Sequence, residues 1–343
     1  MNTHLKYMQR CFDLAIKGLG KTKLNPMVGA VLVFEDRIIG EGFHELYGEA
    51  HAEVNCLKNV AKSDENLVSK STLYVSLEPC SHYGKTAPCA NLIIEKKIPK
   101  VVVACLDPNP LVAGKGISLL QAAGIEVLVG VLSAEAEEMN KRFFVNQLKK
   151  RPYIILKYAL SANHFFCRAD KQQQWLSSVA SKQLVHQWRS EEMGILVGKN
   201  TVLMDDPALT VRLIDGTNPI RIILDSQLQL ALSHQVFNAN ATVIIVNQLQ
   251  SKKEQHLIYC KANTLKELLH ELYVLGISSV LVEGGLEVIQ SFIDLNVYDE
   301  VREIRSISII KEGIEAPIIP FKYSSKKEVA TDTLFIYRNR EAL

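Results

Sequence analysis

The chain has 343 residues, of which 48% are hydrophobic and 22% charged, and its formal net charge is +2. This length exceeds what one hydrophobic core usually supports, so we expect two domains of an ordinary globular protein rather than a disordered chain. The charge balance gives no electrostatic reason to expect a nucleic-acid partner, and no apolar run approaches the ~20 residues that cross a bilayer.

The seven cysteines are odd in number and scattered along the chain. The stretch from Met1 to Gly20 carries charges throughout and has the spacing of an amphipathic helix, so it does not resemble a secretory signal. We therefore expect a reduced, cytoplasmic protein.

The N-terminal half alternates between helical and strand-like patterns. Apolar residues at helical spacing predict a first helix that ends near Gly18 to Gly20, and a buried strand follows at 30–34. Further along, the pattern predicts helices at 50–61, 90–96 and 117–123 and strands at 72–77, 101–105 and 125–129. Such alternation is typical of a sheet covered by helices on both faces.

The clearest chemistry lies in four residues, His51, Glu53, Cys80 and Cys89. The histidine and the two cysteines are ligands that zinc prefers, and a catalytic zinc ion keeps its fourth position for water. Glu53, two residues after His51, is placed to take a proton from that water and to pass it to a ring nitrogen and the leaving amine. The pattern therefore predicts one zinc ion per chain and hydrolytic deamination.

The spacing differs from the general zinc-deaminase signature, which is H-x-E followed by P-C-x-x-C. Here eight residues separate Cys80 from Cys89. Residues two apart do not share a face in the middle of a helix, so we expect His51 and Glu53 in the first turn of their helix. One ligand would then come from a helix and two from the loop after the strand at 72–77.

Two other interpretations of these residues stay open. A closed structural zinc site would take a fourth ligand such as Cys56, His82 or Cys105, although such a site has no use for an acid-base group beside its histidine. A disulfide between Cys80 and Cys89 is the second interpretation, and a reducing compartment argues against it.

The second half begins a new alternating pattern, and we place the domain boundary near residue 147. A polar helical stretch at 135–150 precedes it. The pattern then predicts strands at 153–159, 195–197, 220–224, 242–246 and 280–282, and helices near 182–189, 265–275 and 286–295. This half is again α/β.

Two glycine turns suggest nucleotide binding. Gly114-Lys115-Gly116 lacks the rest of the phosphate-loop pattern, and the chain has no G-x-G-x-x-G fingerprint of a Rossmann site. Glu283-Gly284-Gly285 lies between a strand and a helix, where paired glycines free backbone amides for an anion such as a dinucleotide phosphate. Glycines at such turns often serve the turn alone, so both interpretations stay open.

Longer stretches of the chain resemble one family, the bifunctional riboflavin-biosynthesis deaminase/reductases. The segment from Glu78 to Cys89 closely resembles the deaminase half of that family, in which an Asn-Pro-x-Val-Gly segment like that at Asn25 borders the pocket. The second half is similar to the reductase half almost end to end, in stretches such as His186 to Arg189, Gly198 to Pro207 and Leu209 to Arg212.

The resemblance implies a fold and a reaction for each half. Residues 1–147 would form a cytidine-deaminase-like α/β/α domain that hydrolyses the 2-amino group of 2,5-diamino-6-(5-phosphoribosylamino)pyrimidin-4(3H)-one. Residues 148–343 would form a dihydrofolate-reductase-like α/β domain that reduces the ribosyl group to ribityl with NADPH. The resemblance also implies a homo-oligomer, either a dimer or a tetramer.

Individual roles follow from the resemblance. It implies NADPH contacts at Ala159, Trp175, Thr201, Asp205, Ser226 and Gly285. It implies substrate contacts at Asn25, Lys157, Arg189, Arg212 and Glu283, with phosphate on the arginines and ribityl hydroxyls on the glutamate. Without it, the charged residues would be surface ion pairs and Asn25 a turn residue before proline. His82, Lys85 and Thr86 could hold the phosphoribosyl group, and Lys157 and Asp205 are candidates for the proton donor of the reduction.

The chain departs from the family after the strand at 153–159. The family commonly has Ser-x-Asp-Gly there, whereas this chain has Ser161-Ala162-Asn163-His164, and Gln173 stands where a serine is usual. If the glycine allows the backbone to approach the cofactor, His164 could obstruct it. A deaminase whose reductase-like domain has lost activity is therefore the main alternative. A nucleic-acid-editing deaminase is disfavoured by the charge balance, and a non-catalytic zinc protein by Glu53.

Overall fold

A computed structural model describes residues 3–81, 88–109, 112–170 and 176–339 of the chain. The chain divides into two compact units, Met1–Lys149 and Lys150–Leu343, which we call the first and the second unit. The boundary that the sequence predicts near residue 147 falls in the last helix of the first unit. Among the helices in the described ranges, none has both the length and the apolar character that a bilayer crossing demands.

The first unit is a mixed five-stranded sheet with helices. Its described elements are α1 (Thr3–Ala15), β1 (Gly29–Phe34), β2 (Arg37–Phe43), α2 (Ala52–Lys58), β3 (Thr72–Val75), α3 (Cys89–Glu95), β4 (Lys100–Val103), α4 (Lys115–Ala122), β5 (Glu126–Val129), α5 (Ser133–Met139) and α6 (Lys141–Lys149). The strand order is β2-β1-β3-β4-β5. β1 runs antiparallel to β2 and β3, whereas β3, β4 and β5 are parallel.

Helices cover both faces of this sheet, which confirms the α/β/α architecture expected for the first half. Successive side chains of β1 point to opposite faces, so Val31 packs with α1 while Leu32 packs with α2, α3 and α4. Both side chains are fully buried. Burial of such a side chain stabilises the fold by about 1.5–3 kcal/mol, and the two apolar layers together hold the strand ends in place.

Two helix predictions for this unit are wrong in extent. The helix predicted at 50–61 is α2, which ends at Lys58, and a 3-10 helix follows at Lys62–Lys70. The helix predicted at 135–150 is broken at Asn140 into α5 and α6. The Asn140 side chain is engaged elsewhere, because it accepts a hydrogen bond from the Met27 N–H (2.8 Å) and donates one to the Met27 carbonyl (2.9 Å). These two bonds fix the loop that also contains Asn25.

The second unit is built on a larger sheet. Its described elements are β6 (Tyr153–Leu160), β7 (Phe165–Arg168), α7 (Val179–Glu191), β8 (Gly194–Gly198), α8 (Lys199–Asp205), β9 (Ile220–Leu224), β10 (Val243–Asn247), β11 (Lys252–Glu254), β12 (Leu257–Lys261), α9 (Leu265–Val274), β13 (Ser279–Val282), α10 (Leu286–Asp294), β14 (Glu300–Arg305), β15 (Gly313–Glu315), β16 (Ser325–Val329) and β17 (Asp332–Arg338).

Ten of these strands form one sheet in the order β11-β12-β10-β9-β8-β13-β6-β14-β17-β16. The strands from β12 to β14 in this order are parallel, and β11, β17 and β16 pair antiparallel at the two edges. β7 and β15 form a separate two-stranded sheet. The alternation of parallel strands and helices agrees with the predicted α/β class.

The sequence patterns miss several strands of this unit, most notably β14. Its sequence, Glu-Val-Arg-Glu-Ile-Arg, has the polarity of an exposed segment, yet the strand is buried between β6 and β17. Arg302 accounts for this, because its guanidinium stacks on Trp188 at 4.8 Å and donates to Glu300 over 2.6 Å. Charges can occupy a buried strand when neighbouring side chains pair with them.

Candidate active sites

Three side chains of the first unit meet at one point. Nδ1 of His51 lies 3.5 Å from Sγ of Cys80 and 3.4 Å from Sγ of Cys89, and the three atoms lie within 4.8 Å of one another. A tetrahedral zinc ion, with Zn–S of about 2.3 Å and Zn–N of about 2.0–2.1 Å, separates such atoms by about 3.5 Å. The spacing and the donor set therefore both fit zinc.

The start of a helix or the end of a strand presents each ligand. His51 is the N-cap of α2 with an extended backbone (φ −71°, ψ 164°), and Glu53 follows in the first turn, as predicted. Cys80 lies in the loop after β3. Cys89 is the first residue of α3, so the expectation that two ligands come from the loop is wrong for Cys89. The Cys89 N–H donates to Sγ of Cys80 over 3.3 Å, which links the second ligand to the helix start.

The cysteines considered for a closed site lie elsewhere. Cys56 belongs to the apolar cluster behind α2, and the Cys105 thiol donates to a backbone carbonyl. Neither is a member of the ligand group, which has three residues in the described part of the chain. His82 lies outside the described residues. Cys80 and Cys89 are both free thiols, so they form no disulfide.

Glu53 is buried beside these ligands, with 3% of its surface exposed. Burial, followed by the negative charge of Cys80, raises the pKa of Glu53 to about 7. A hydrogen bond from Cys89 lowers the pKa of Cys80 to about 4, and the same bond raises the pKa of Cys89. A carboxyl group with a pKa near neutrality can take and release a proton at pH 7, although a divalent cation on the ligands would lower that pKa.

Asn25 is connected to His51 through His44, whose ring centroid lies 5.7 Å from that of His51 and whose role the motifs do not indicate. Nδ1 of His44 lies 3.1 Å from the Ala50 carbonyl, and Nε2 lies 3.1 Å from Nδ2 of Asn25. A carbonyl can only accept, so Nδ1 carries the proton and Nε2 accepts from Asn25. The Oδ1 atom of Asn25 is thereby left as an acceptor. The signal for His44 is a histidine directly after a strand, close before His51 in sequence.

The predicted residues of the second unit lie at one edge of its sheet. β9, β8, β13 and β6 are parallel neighbours, so their carboxyl ends lie side by side, and ligands of open α/β sheets bind at such an edge. The residues there are Lys157 and Ala159 in β6, Thr201 and Asp205 in α8 after β8, Ser226 after β9, and Glu283 and Gly285 after β13. Trp175, Gln173, Lys85 and Thr86 lie outside the described residues.

Gly284 and Gly285 allow a close turn after β13. A Cβ on Gly284 would lie 2.8 Å from the Val197 Cα, so only glycine lets the turn approach β8. The Gly285 N–H donates to Oγ1 of Thr201 over 3.0 Å, and Gly285 is the N-cap of α10 without a side-chain cap. A helix start of this kind can bind an anionic group such as a phosphate.

Glu283 forms the centre of an ion cluster. Nε and Nη2 of Arg189 donate to its two oxygens over 2.8 and 3.0 Å, and Nζ of Lys157 lies 3.4 Å from Oε2. The exposed fractions of the three side chains are 8%, 12% and 16%, so these are not surface ion pairs. Burial opposes the charge of Glu283, yet the positive charges of Arg189 and Lys157 outweigh it and lower the pKa of Glu283 to about 2.

His186 joins this cluster. It is buried, and its Nδ1 accepts a hydrogen bond from the Arg212 N–H over 3.1 Å. Burial, followed by the charges of Arg189 and Arg212, lowers the pKa of His186 to about 4, so the ring is neutral at pH 7. Two cations, Arg189 and Lys157, face the single carboxylate of Glu283, and this excess of positive charge suits a phosphate. The sequence signal for His186 is its spacing of three residues from Arg189 on α7.

The run from Ser161 to His164 is the turn between β6 and β7. His164 is exposed and has a left-handed backbone with φ 66°, a conformation that glycine adopts freely. Asn163 uses Oδ1 to accept from the Ile310 N–H (3.1 Å) and Nδ2 to donate to the Ile310 carbonyl (2.7 Å). A glycine at position 164 would therefore serve the backbone of this turn, and Asn163 supplies the acceptor that a carboxylate would supply.

Two protein-family models match the chain. The cytidine and deoxycytidylate deaminase zinc-binding region matches residues 1–105, which include His51, Cys80 and Cys89. The RibD C-terminal domain matches residues 152–305, which include the ion cluster and the Gly285 turn. These matches confirm the fold class expected for each half.

Whole-length relatives are similar to the chain as well. It is 40% identical to the riboflavin biosynthesis protein RibD of Aquifex aeolicus over 90% of this chain and 88% of that protein, and 42% identical to RibD of Bacillus amyloliquefaciens over 86% and 82%. A diaminohydroxyphosphoribosylaminopyrimidine deaminase/5-amino-6-(5-phosphoribosylamino)uracil reductase of Thermotoga maritima has a similar crystal structure, with a TM-score of 0.90 and 36% identity over 98% of both chains. The structure of Acinetobacter baumannii RibD gives a TM-score of 0.89 and 33% identity, also over 98% of both.

Proposed function

The chain belongs to the RibD family, whose members are bifunctional deaminase/reductases of riboflavin biosynthesis, and we propose that its first unit carries the deaminase site and its second unit the reductase site. The substrate of the first step would be 2,5-diamino-6-(5-phosphoribosylamino)pyrimidin-4(3H)-one. The second step would reduce the ribosyl group of the deaminated product to ribityl.

The observation that carries the deaminase proposal is the three-ligand group beside the buried Glu53. When bound there, zinc would supply the Lewis acidity that lowers the pKa of a water molecule to about 7. Glu53 would take a proton from the attacking water and deliver it to the ring nitrogen and then to the leaving amine. Water and the 2-amino group would thereby become a ring carbonyl and ammonia. Asn25 would present Oδ1 to an N–H group of the pyrimidine.

The reductase proposal rests on the positive cluster and the glycine turn at one sheet edge. Arg189, Arg212 and Lys157 would attract the substrate phosphate, and Glu283 would orient both the cations and the sugar hydroxyls. NADPH would supply the hydride, with a phosphate group at the Gly285 turn and further contacts at Ala159, Trp175, Thr201, Asp205 and Ser226. The reduction also needs a proton, and Lys157 and Asp205 are the candidate donors.

Ammonia release from the diamino substrate tests the deaminase assignment. The zinc-loaded protein should release ammonia without NADPH, and Glu53→Gln should lower kcat by roughly 10²–10⁴-fold because the proton transfer is lost. Glu41→Gln is a matched control, since Glu41 pairs with Arg10 on the surface of β2. Full turnover by Glu53→Gln would show that another group moves the proton.

A further inference from the structure

Glu78, which lies two residues before the zinc ligand Cys80, is buried with 4% of its surface exposed. Its carboxylate accepts hydrogen bonds from four backbone N–H groups. Oε2 accepts from Asp107 (3.2 Å) and Gly114 (2.9 Å), and Oε1 accepts from Gly116 (2.9 Å) and Ile117 (3.4 Å). A side chain that satisfies so many backbone donors holds two segments of the chain together.

The donors belong to the start of α4 and to the turn after β4. The N-cap of α4 is Gly114, which has a left-handed backbone (φ 76°) and supplies no side-chain cap of its own. Glu78 therefore caps this helix from 36 residues earlier in the chain. Gly114 and Gly116 belong to the turn that suggests a phosphate loop in the sequence, and in the structure their amides serve this internal carboxylate.

The two segments also touch through their backbones. A Cβ on Gly116 would lie 2.0 Å from the Pro79 carbonyl oxygen, so position 116 must be glycine for the segments to approach this closely. We call this contact, made by Glu78 and Pro79 against residues 114–117, the Glu78 joint.

The Glu78 joint leads directly to a zinc ligand. The Glu78 N–H donates to the Cys105 carbonyl over 3.0 Å, which fixes the joint to the end of β4. On the other side, the Cys80 carbonyl accepts from the Ala90 N–H (3.1 Å), and Sγ of Cys80 accepts from the Cys89 N–H (3.3 Å). Cys80 is thus held from upstream by Glu78 and from downstream by α3. Its sulfur would lose a defined position if either anchor were lost.

We propose that Glu78 is a positioning residue of the deaminase site, which holds Cys80 so that its sulfur meets His51 and Cys89 at the spacing a tetrahedral zinc ion needs. This inference rests on the proposed zinc site. It adds a role to a residue of the Glu-Pro-Cys motif that neither binds the metal nor moves protons.

The test compares Glu78→Gln with the unaltered protein. Glutamine keeps the shape but turns an NH₂ group toward two backbone donors, so the joint should open. Loss of an outer anchor of a metal site typically costs about 10–100-fold in metal affinity or activity, and we expect a zinc dissociation constant raised by that factor in chelator competition. The cobalt-substituted variant should show altered ligand-field and thiolate-to-cobalt absorption bands. Deaminase kcat should fall by the same factor with KM little changed, while NADPH-dependent reduction stays within about twofold.

Two further variants separate positioning from general destabilisation. Gly116→Ala opens the same joint from the opposite segment without removing a carboxylate, and it should reproduce the weaker zinc binding and the altered cobalt spectrum. Gly124→Ala strains the other end of α4, where φ is 81° and a Cβ would meet open space, and it should keep both properties of the unaltered protein.

An unchanged cobalt spectrum and zinc affinity in Glu78→Gln would overturn the positioning role, and so would equal losses in Gly124→Ala, because these would reflect helix stability alone. If the unaltered protein binds no zinc stoichiometrically, the proposed zinc site fails and the role of Glu78 fails with it.

Discussion

The two units present their chemistry in opposite ways. In the first unit the proposed zinc ligands and the proposed proton carrier lie between residues 51 and 89, at the starts of two helices and in one strand-end loop. In the second unit the candidate residues extend from 157 to 285 and meet because four parallel strands end side by side. The first site is therefore a property of short segments, and the second is a property of sheet topology. A change that disrupts one site should therefore leave the activity of the other site intact.

Removal of zinc should separate the two activities most sharply. A strong chelator should reduce ammonia release from the diamino substrate to background, because the metal would supply the Lewis acidity. The same sample should still oxidise NADPH with the deaminated intermediate, since the second site uses no residue of the ligand group. Restoration of ammonia release by added zinc is the control. Equal loss of both activities would contradict the assignment of one site to each unit.

The charge centre of the second site gives the next largest effect. Glu283→Ala would leave Arg189 and Lys157 without their buried partner, and such a loss typically costs about 3–5 kcal/mol. Both tryptophans, Trp175 and Trp188, belong to the second unit, so their fluorescence during denaturant unfolding reports on that unit.

The matched control for this prediction is Glu254→Ala, which breaks the exposed ion pair with Lys252. It should change stability by about 0–1 kcal/mol. Ammonia release should survive in both variants. If the denaturant midpoint of unfolding is the same in Glu283→Ala and in Glu254→Ala, the ion cluster contributes little to the stability of the second unit.

A pH profile of the same unfolding signal tests His186. The pKa of this buried imidazole is lowered to about 4, so below about pH 6.5 the unfolded chain takes up a proton that the folded chain does not. Stability of the second unit should therefore fall as the pH drops from about 6.5 to 4. Glu283, with a pKa of about 2, should add a further loss only below about pH 4.5.

Substitution assigns this slope to one residue. His186→Asn keeps an acceptor for the Arg212 N–H but does not titrate, so its profile should be flatter between pH 6.5 and 4. His270→Asn removes an exposed imidazole of α9 and should keep the slope. An identical slope in His186→Asn and the unaltered protein would remove His186 as the cause.

The smallest effect concerns the turn at His164. His164→Gly should stabilise the second unit by about 1 kcal/mol or less, because glycine adopts the left-handed backbone without strain. Ala330→Gly is the control, since Ala330 has φ 53° in the turn between β16 and β17. NADPH oxidation should change less than twofold in both. A large gain in His164→Gly alone would mean that the imidazole obstructs the cofactor.

The contrast between the units also sets what the sequence could predict. The proposed zinc ligands and Glu53 could be named because each chemical role has few suitable residue types, and the spacing placed His51 and Glu53 in one helical turn. Apolar strands such as β6 and β13 could be predicted equally well. The pairing of Arg189 with Glu283 could not be predicted, because it joins positions 94 residues apart through the order of the strands. β14 was missed because its charges are paired only in the folded sheet.

The functions of Glu78, His44 and Asn140 also lie outside what a motif can indicate. Each acts by satisfying backbone or amide groups of a distant segment, as Asn140 does for Met27. A local pattern carries no information about which distant segment will need a partner. Their roles depend on hydrogen bonds that exist only in the folded chain.

The most direct test of the bifunctional assignment supplies the deaminated intermediate with NADPH to the purified protein and follows cofactor oxidation and product identity. The expected result is oxidation with formation of the ribitylamino product, at the same rate in the unaltered protein and in Glu53→Gln, because the second site works without the first. Absence of oxidation in a preparation that still deaminates the diamino substrate would contradict it and leave the second unit without catalytic activity.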